Sequence, residues 1–162
     1  MKKSFCLCVF LIVLTLLCGC GGGNGPTNPI SESEPNNTME TAQSIPTNGV
    51  EITGSIDPGT DSDFYKFTGE IGYGYCVRLT WVSGENLDLK GYWYAYDGNN
   101  FYILNDTGAK QNETDTIDFH TIGGVCYLRI VDAWGSNLGQ YKISVTKGNF
   151  GTANIAAQYK SL

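Results

Sequence analysis

Gly124-Val125-Cys126-Tyr127-Leu128-Arg129-Ile130 and Gly139-Gln140-Tyr141-Lys142-Ile143-Ser144-Val145 are the stretches that decide the fold. In the first, Cys126, Leu128 and Ile130 fall on one side of an extended chain; in the second, Tyr141, Ile143 and Val145 do. Alternation with period two puts one face of a strand in a core and leaves the other to solvent. Val77, Leu79 and Trp81 repeat the pattern upstream. Further short β-branched and aromatic runs, separated by Gly, Asn, Asp and Pro, predict strands near 50–56, 63–68, 74–82, 87–96, 100–104, 115–120, 124–131 and 139–146. The best helical signal is a single turn from Thr38 to Ser44, capped by Thr38 and stopped by Pro46. The expected class is all-β: a single jelly-roll-like antiparallel β-sandwich over 32–147, followed by a polar C-terminal tail, 148–162.

The chain ahead of this domain reads differently. Met1-Lys2-Lys3 is basic, and Phe5 to Cys18 is an apolar run broken only by Thr15. A run this short falls below the roughly 20 residues needed to cross a bilayer as a helix, and it suits the apolar region of a secretory signal. Leu17-Cys18-Gly19-Cys20 resembles a bacterial lipobox, which makes 1–19 a lipoprotein signal peptide of the Sec type and Cys20 the lipidated residue. Diacylglyceryl addition with acylation of the new amine (palmitate is a common chain) gives two or more chains and a stable anchor. Residues 20–31 then form a Gly/Pro/Asn linker. The expected location is the bacterial cell envelope, at the outer membrane if the host has one, because Gly21 stands where an Asp would retain the protein at the inner membrane.

The chain has 16 acids against 10 bases, and loss of Lys2 and Lys3 with the signal leaves 16 against 8. Such a balance excludes nucleic acid, whose phosphates call for a basic footprint. Of the six cysteines, Cys6, Cys8 and Cys18 leave with the signal. Cys76 and Cys126 remain as thiols in an oxidising compartment, which predicts a disulfide between them. Strand parity opposes it, since Cys76 alternates with Val77 and Leu79 unless a bulge near Gly72 or Gly74 shifts the register. The alternative is two unpaired thiols, one of them buried.

Six motifs in order resemble the bacterial pre-peptidase C-terminal domain, a small sandwich found after secreted protease domains and related to the collagen-binding domain of clostridial collagenases. They are Glu32-Ser33-Glu34-Pro35-Asn36-Asn37-Thr38, Val50-Glu51-Ile52-Thr53-Gly54-Ser55-Ile56, Asp61-Ser62-Asp63-Phe64-Tyr65-Lys66-Phe67, Leu87-Asp88-Leu89 and the two strands quoted first. The resemblance implies a sandwich without catalytic activity. It also implies a Ca²⁺ site in the N-terminal acidic segment and the Asp-rich turn, carried here by Glu32, Glu34, Asn36, Asn37, Asp61 and Asp63. These residues supply the oxygen ligands that Ca²⁺ prefers. The alternative is that the Asn and Asp residues make Asx-turns and the glutamates are solvated. Collagen specificity does not carry over, because the positions that hold the relatives' tyrosines have Val131 and Ala133, with Trp134 nearby.

A second candidate is aromatic. Tyr92, Tyr94 and Tyr96 fall on alternate positions of one strand, with Tyr102 on the next. Facing outward they form a ligand-binding platform; facing inward they are core. Catalytic signals are sparse: His120 is the only histidine, no Gly-x-Ser-x-Gly elbow occurs, and Asp115, Asp118 and His120 follow ordinary strand alternation. The expected function is therefore a non-enzymatic, membrane-anchored module that binds an extracellular polysaccharide or protein. The alternative is an accessory lipoprotein for a separately encoded exported peptidase. Replacing Cys20 with Ser is expected to release the protein from the membrane fraction or leave an unprocessed precursor; unchanged fractionation and migration would refute the anchor.

Overall fold

The computed structural model describes residues 29–96, 101–121, 123–148 and 160–161, with strand positions 93–96, 101–107, 119 and 160–161 described by backbone alone. The alternating stretches fold as β3 (Ile52–Ile56), β4 (Ser62–Gly69), β5 (Gly74–Ser83), β6 (Leu89–Tyr96), β7 (Phe101–Ala109), β8 (Thr114–His120), β9 (Gly124–Asp132) and β10 (Gly139–Gly148). Three two-residue strands complete the set: β1 (Ile30–Ser31), β2 (Gln43–Ser44) and β11 (Lys160–Ser161). The signal peptide, Cys20 and most of the linker lie outside the described residues.

Two sheets form the sandwich, with orders β1-β3-β10-β5-β8 and β11-β7-β6-β9-β4-β2. The long pairings are antiparallel, as expected, but β1 pairs parallel with β3 and β2 parallel with β4, so both sheets are mixed. The expected helical turn is a hydrogen-bonded turn from Thr38 to Thr41, and the chain then extends into β2. Pairing with Tyr65 and Lys66 of β4 stabilises that extended form over a helix too short to stand alone.

The core lies where the parity argument places it. Val77, Leu79, Leu128, Ile130, Tyr141, Ile143 and Val145 are completely buried, and Trp81 packs at the margin. Phe67 and Tyr75 bring the sheets together with ring centroids 4.8 Å apart.

The predicted Cys76–Cys126 disulfide does not form: Cys126 is a free, buried thiol. Between Gly74 and Leu79 the pairing of β5 with β8 runs without a shift, so no bulge alters the parity of Cys76. Cys76 lies opposite Thr146 and Asp118, on the row that alternates with core Val77. Cys126 belongs to the core on the other sheet. Burial pushes its thiol up to about 12, which keeps it protonated and unreactive. Cys126 is expected to resist alkylation in the native protein and to react fully after unfolding without reductant. Peptide mass spectrometry checks this, and a Cys126 still blocked after unfolding would show that it is bonded.

Candidate functional site

The most polar part of the buried interior is built where the chain enters the sandwich. Backbone bonds from Ile30 N to Glu51 O (3.0 Å) and from Glu32 N to Thr53 O (2.9 Å) lay the N-terminal segment along β3. Glu32 Oε1 then accepts from Ser55 N at 2.6 Å and Ser55 Oγ at 2.7 Å. Downstream, Glu34 Oε2 accepts from Asn36 N at 2.9 Å, and Phe64 N donates to Asn36 O at 2.9 Å, which fastens the segment to β4. Alternation along β4 turns Asp63 and Tyr65 inward, where both are completely buried.

Asp63 Oδ2 accepts from Tyr141 OH at 2.6 Å, the hydroxyls of Tyr141 and Tyr65 lie 2.7 Å apart, and Tyr65 OH reaches Glu32 Oε2 at 3.4 Å. Burial holds both phenols well above their ordinary range, so they remain protonated donors. Gly54 makes room for this chain: a Cβ there would lie 2.5 Å from Tyr141 OH and 2.7 Å from Glu32 Oε2.

Glu32, Glu34 and Asp63 each bring one oxygen within 4.8 Å of the others. The fully buried Asn36 joins them. One terminal atom of its amide lies 3.2 Å from Glu34 Oε1 and 3.0 Å from Asp63 Oδ1. Without a cation that atom has to be the nitrogen, donating to both carboxylates; with a cation among them, the oxygen takes its place as a ligand. The ion pairs among the described residues, Lys142–Glu51 and Lys147–Glu70, involve none of these acids. Three carboxylates and one amide, with no basic partner, fit a hard cation of the Ca²⁺ type, which takes six to eight oxygens and completes its shell with carbonyls or water.

The six residues expected as ligands thus divide. Glu32, Glu34, Asn36 and Asp63 converge. Asn37 and Asp61 bond to each other instead, through Asn37 Nδ2 and Asp61 Oδ1 at 2.7 Å. Asp61 also accepts from Ser62 N at 2.8 Å, the local turn that Asp favours. Ser55, Tyr65 and Tyr141 belong to the site and were read from sequence only as strand positions. The available signal was a pair of tyrosines at core parity, since a buried Tyr hydroxyl needs a polar partner.

On the opposite side of β4 the register builds a second surface. Tyr92 pairs with Arg129, Tyr94 with Tyr127 and Tyr96 with Val125, while Trp93 and Ala95 pair with core Leu128 and Cys126. The tyrosine positions therefore lie on the row that alternates with the core; Tyr92 is half-buried, and the side chains of Tyr94, Tyr96 and Tyr102 lie outside the described residues. A shift between Trp93 and Tyr94 pairs Tyr102 with Ala95, so the register assigns Tyr102 to the core row and Phe101 to the tyrosine row. Among the catalytic suspects, Asp115 pairs with core Leu79 whereas Asp118 pairs with Cys76, so the two aspartates fall on opposite rows.

No family model matches the chain, and no curated protein matches it. In structure it is similar to the pre-peptidase C-terminal domain of collagenase from Bacillus anthracis. That match has 17% identity, covers 76% of this chain and 100% of that one, and has a TM-score of 0.48. A second, to the Yersinia pseudotuberculosis-derived mitogen, has 12% identity, covers 71% of this chain and 96% of that one, and has a TM-score of 0.42.

The carboxylate cluster makes stability depend on pH. Burial first, then the charges of Glu32, Asp61 and Glu34, raise Asp63 from 3.8 to about 8 against the bond from Tyr141. Burial likewise raises Glu32, against the bonds from Ser55. Between those two values the unfolded chain releases a proton that the folded chain retains, so rising pH favours unfolding. In chelator the melting temperature is expected to fall as pH rises from 4 to 8, and Asp63→Asn is expected to flatten that fall. A melting temperature that climbs over this window in chelator would contradict the cluster.

Proposed function

We propose that the protein is a cell-envelope lipoprotein, held by lipid on Cys20, whose β-sandwich takes up Ca²⁺ and binds an extracellular polymer. The single observation that carries this reading is the convergence of one carboxylate oxygen each from Glu32, Glu34 and Asp63, with the Asn36 amide beside them and no basic partner among the described residues. A buried carboxylate, Asp63, beside the half-buried Glu32 and the exposed Glu34 needs either a proton or a cation. Near neutral pH in a calcium-containing exterior, a divalent ion satisfies Glu32, Glu34 and Asp63 together and relieves the cost of leaving Asp63 ionised. Bound there, it would tie the segment 32–36 to β4 and so fix the two sheets at the end where the linker arrives. The binding surface is then the outer row of the six-stranded sheet, where Tyr92 and Tyr127 lie on neighbouring strands.

Melting in millimolar Ca²⁺ against chelator tests the cation. Binding to the native state alone stabilises by about 2.7 kcal/mol at a hundredfold excess over Kd, so a clear upward shift is expected at pH 7.5. The shift should vanish in Glu34→Gln and Asp63→Asn variants. Equal melting in both conditions would refute the site.

A further inference from the structure

On the outer side of the six-stranded sheet, the rows of β4, β9 and β6 carry a charge pattern opposite to that of the chain as a whole, and the first acid beside them is Asp106, opposite Tyr92 on β7. Alternation puts Ser62, Phe64, Lys66 and Thr68 of β4 on that row, paired in order with Val131, Arg129, Tyr127 and Val125 of β9. The next strand adds Lys90, Tyr92, Tyr94 and Tyr96 of β6. These twelve positions hold three cations, five aromatics and no acid, in a chain with 16 acids and 10 bases. Along β4 the charges separate by row: Lys66 lies outward and Asp63 inward.

The cations are also available. The described ion pairs use Lys142 and Lys147, and neither Lys66, Lys90 nor Arg129 takes part in one. Arg129 is held in place by Nε donating to Ser62 Oγ at 2.8 Å and by its position 5.8 Å from the Phe64 ring centre. That leaves its terminal nitrogens for a carboxylate, the planar group a guanidinium matches best. A groove of about 530 Å³ opens beside this row, lined by Ser44, Thr47, Lys66, Thr68 and Tyr127 among others. Its volume lies within the range of about 300–1,000 Å³ usual for ligand sites. Hydroxyls, an ammonium and a phenol ring together match a sugar ring that bears a carboxylate.

We propose that this face binds an anionic polysaccharide, with uronate units whose carboxylates meet Lys66, Lys90 and Arg129 and whose rings lie along the aromatic positions. Alternate positions on a strand are roughly 7 Å apart, and the aromatics repeat along β6 in that step, which suits a linear chain of flat units. The inference rests on the polymer-binding reading above and adds the class of polymer and the groups that select it.

The full-length protein in calcium, carried in detergent micelles, is passed over immobilised polygalacturonate, dextran and gelatin. Retention on polygalacturonate alone, weakened by salt, is expected. Lys66→Gln with Lys90→Gln should lower the affinity about tenfold with an unchanged melting temperature, and this pair leaves the Arg129 contacts intact. Tyr92→Ala should weaken binding without abolishing the salt dependence. Equal retention on dextran, or a preference for gelatin or for anionic lipid vesicles, would overturn the anionic-glycan inference while leaving a binding module. Indifference of polygalacturonate binding to the lysine pair would also overturn it. Retention on none of the three polymers would overturn the polymer-binding reading itself and the inference with it.

Discussion

The hydrogen bond from Tyr141 OH to Asp63 Oδ2 crosses from one sheet to the other inside the sandwich, at the edge of the apolar core. A carboxyl group with no exposed surface is tolerated only if every oxygen has a partner, and that demand organises its surroundings. Tyr141 supplies one bond from β10 and in turn meets Tyr65 of β4, while the amide of Asn36 covers the other oxygen. Asn36 can do so only because the N-terminal segment is strapped along β3, and the strap closes only because Gly54 has no side chain. The polar chain from Glu32 to Asp63 thus selects one way of stacking two sheets whose apolar faces would tolerate others.

Much of the fold was legible in the sequence because strand periodicity is a local property. The alternation in 124–130 and 139–145 needs no knowledge of neighbours, and the buried rows follow directly from it. The parallel edge pairings were not legible. Two-residue strands such as Ile30–Ser31 have no period to read, and their form is set by the β3 backbone beside them. The same limit applied to Thr38–Ser44, where a helix-capping pattern lost to pairing with β4.

The candidate sites were legible in part for a related reason. Composition marked the N-terminal acids, but which oxygens converge depends on how the segment crosses β3 and β4. Asn37 and Asp61 were indistinguishable from Asn36 and Asp63 in sequence, yet they satisfy each other outside the cluster. Parity correctly opposed the disulfide, while the redox setting favoured it. Geometry prevailed, since a core residue of one sheet and a residue on the outward row of the other cannot be brought to bonding distance by chemistry alone. Tyr102 left the aromatic row because one shift in register inverts every later position on a strand.

The strap along β3 has a mechanical consequence. Tension applied from the N-terminal side enters the domain at Ile30, and the first grips it meets are the backbone bonds to Glu51 and Thr53 and the Glu32 carboxylate on Ser55. Because β1 lies alongside β3 rather than across its end, these grips are stressed as a group when the chain is drawn along the strand. The residue that bears the strain is the same one that faces Glu34 and Asp63. Resistance to pulling and the ionisation of the acidic cluster are therefore coupled at a single carboxylate.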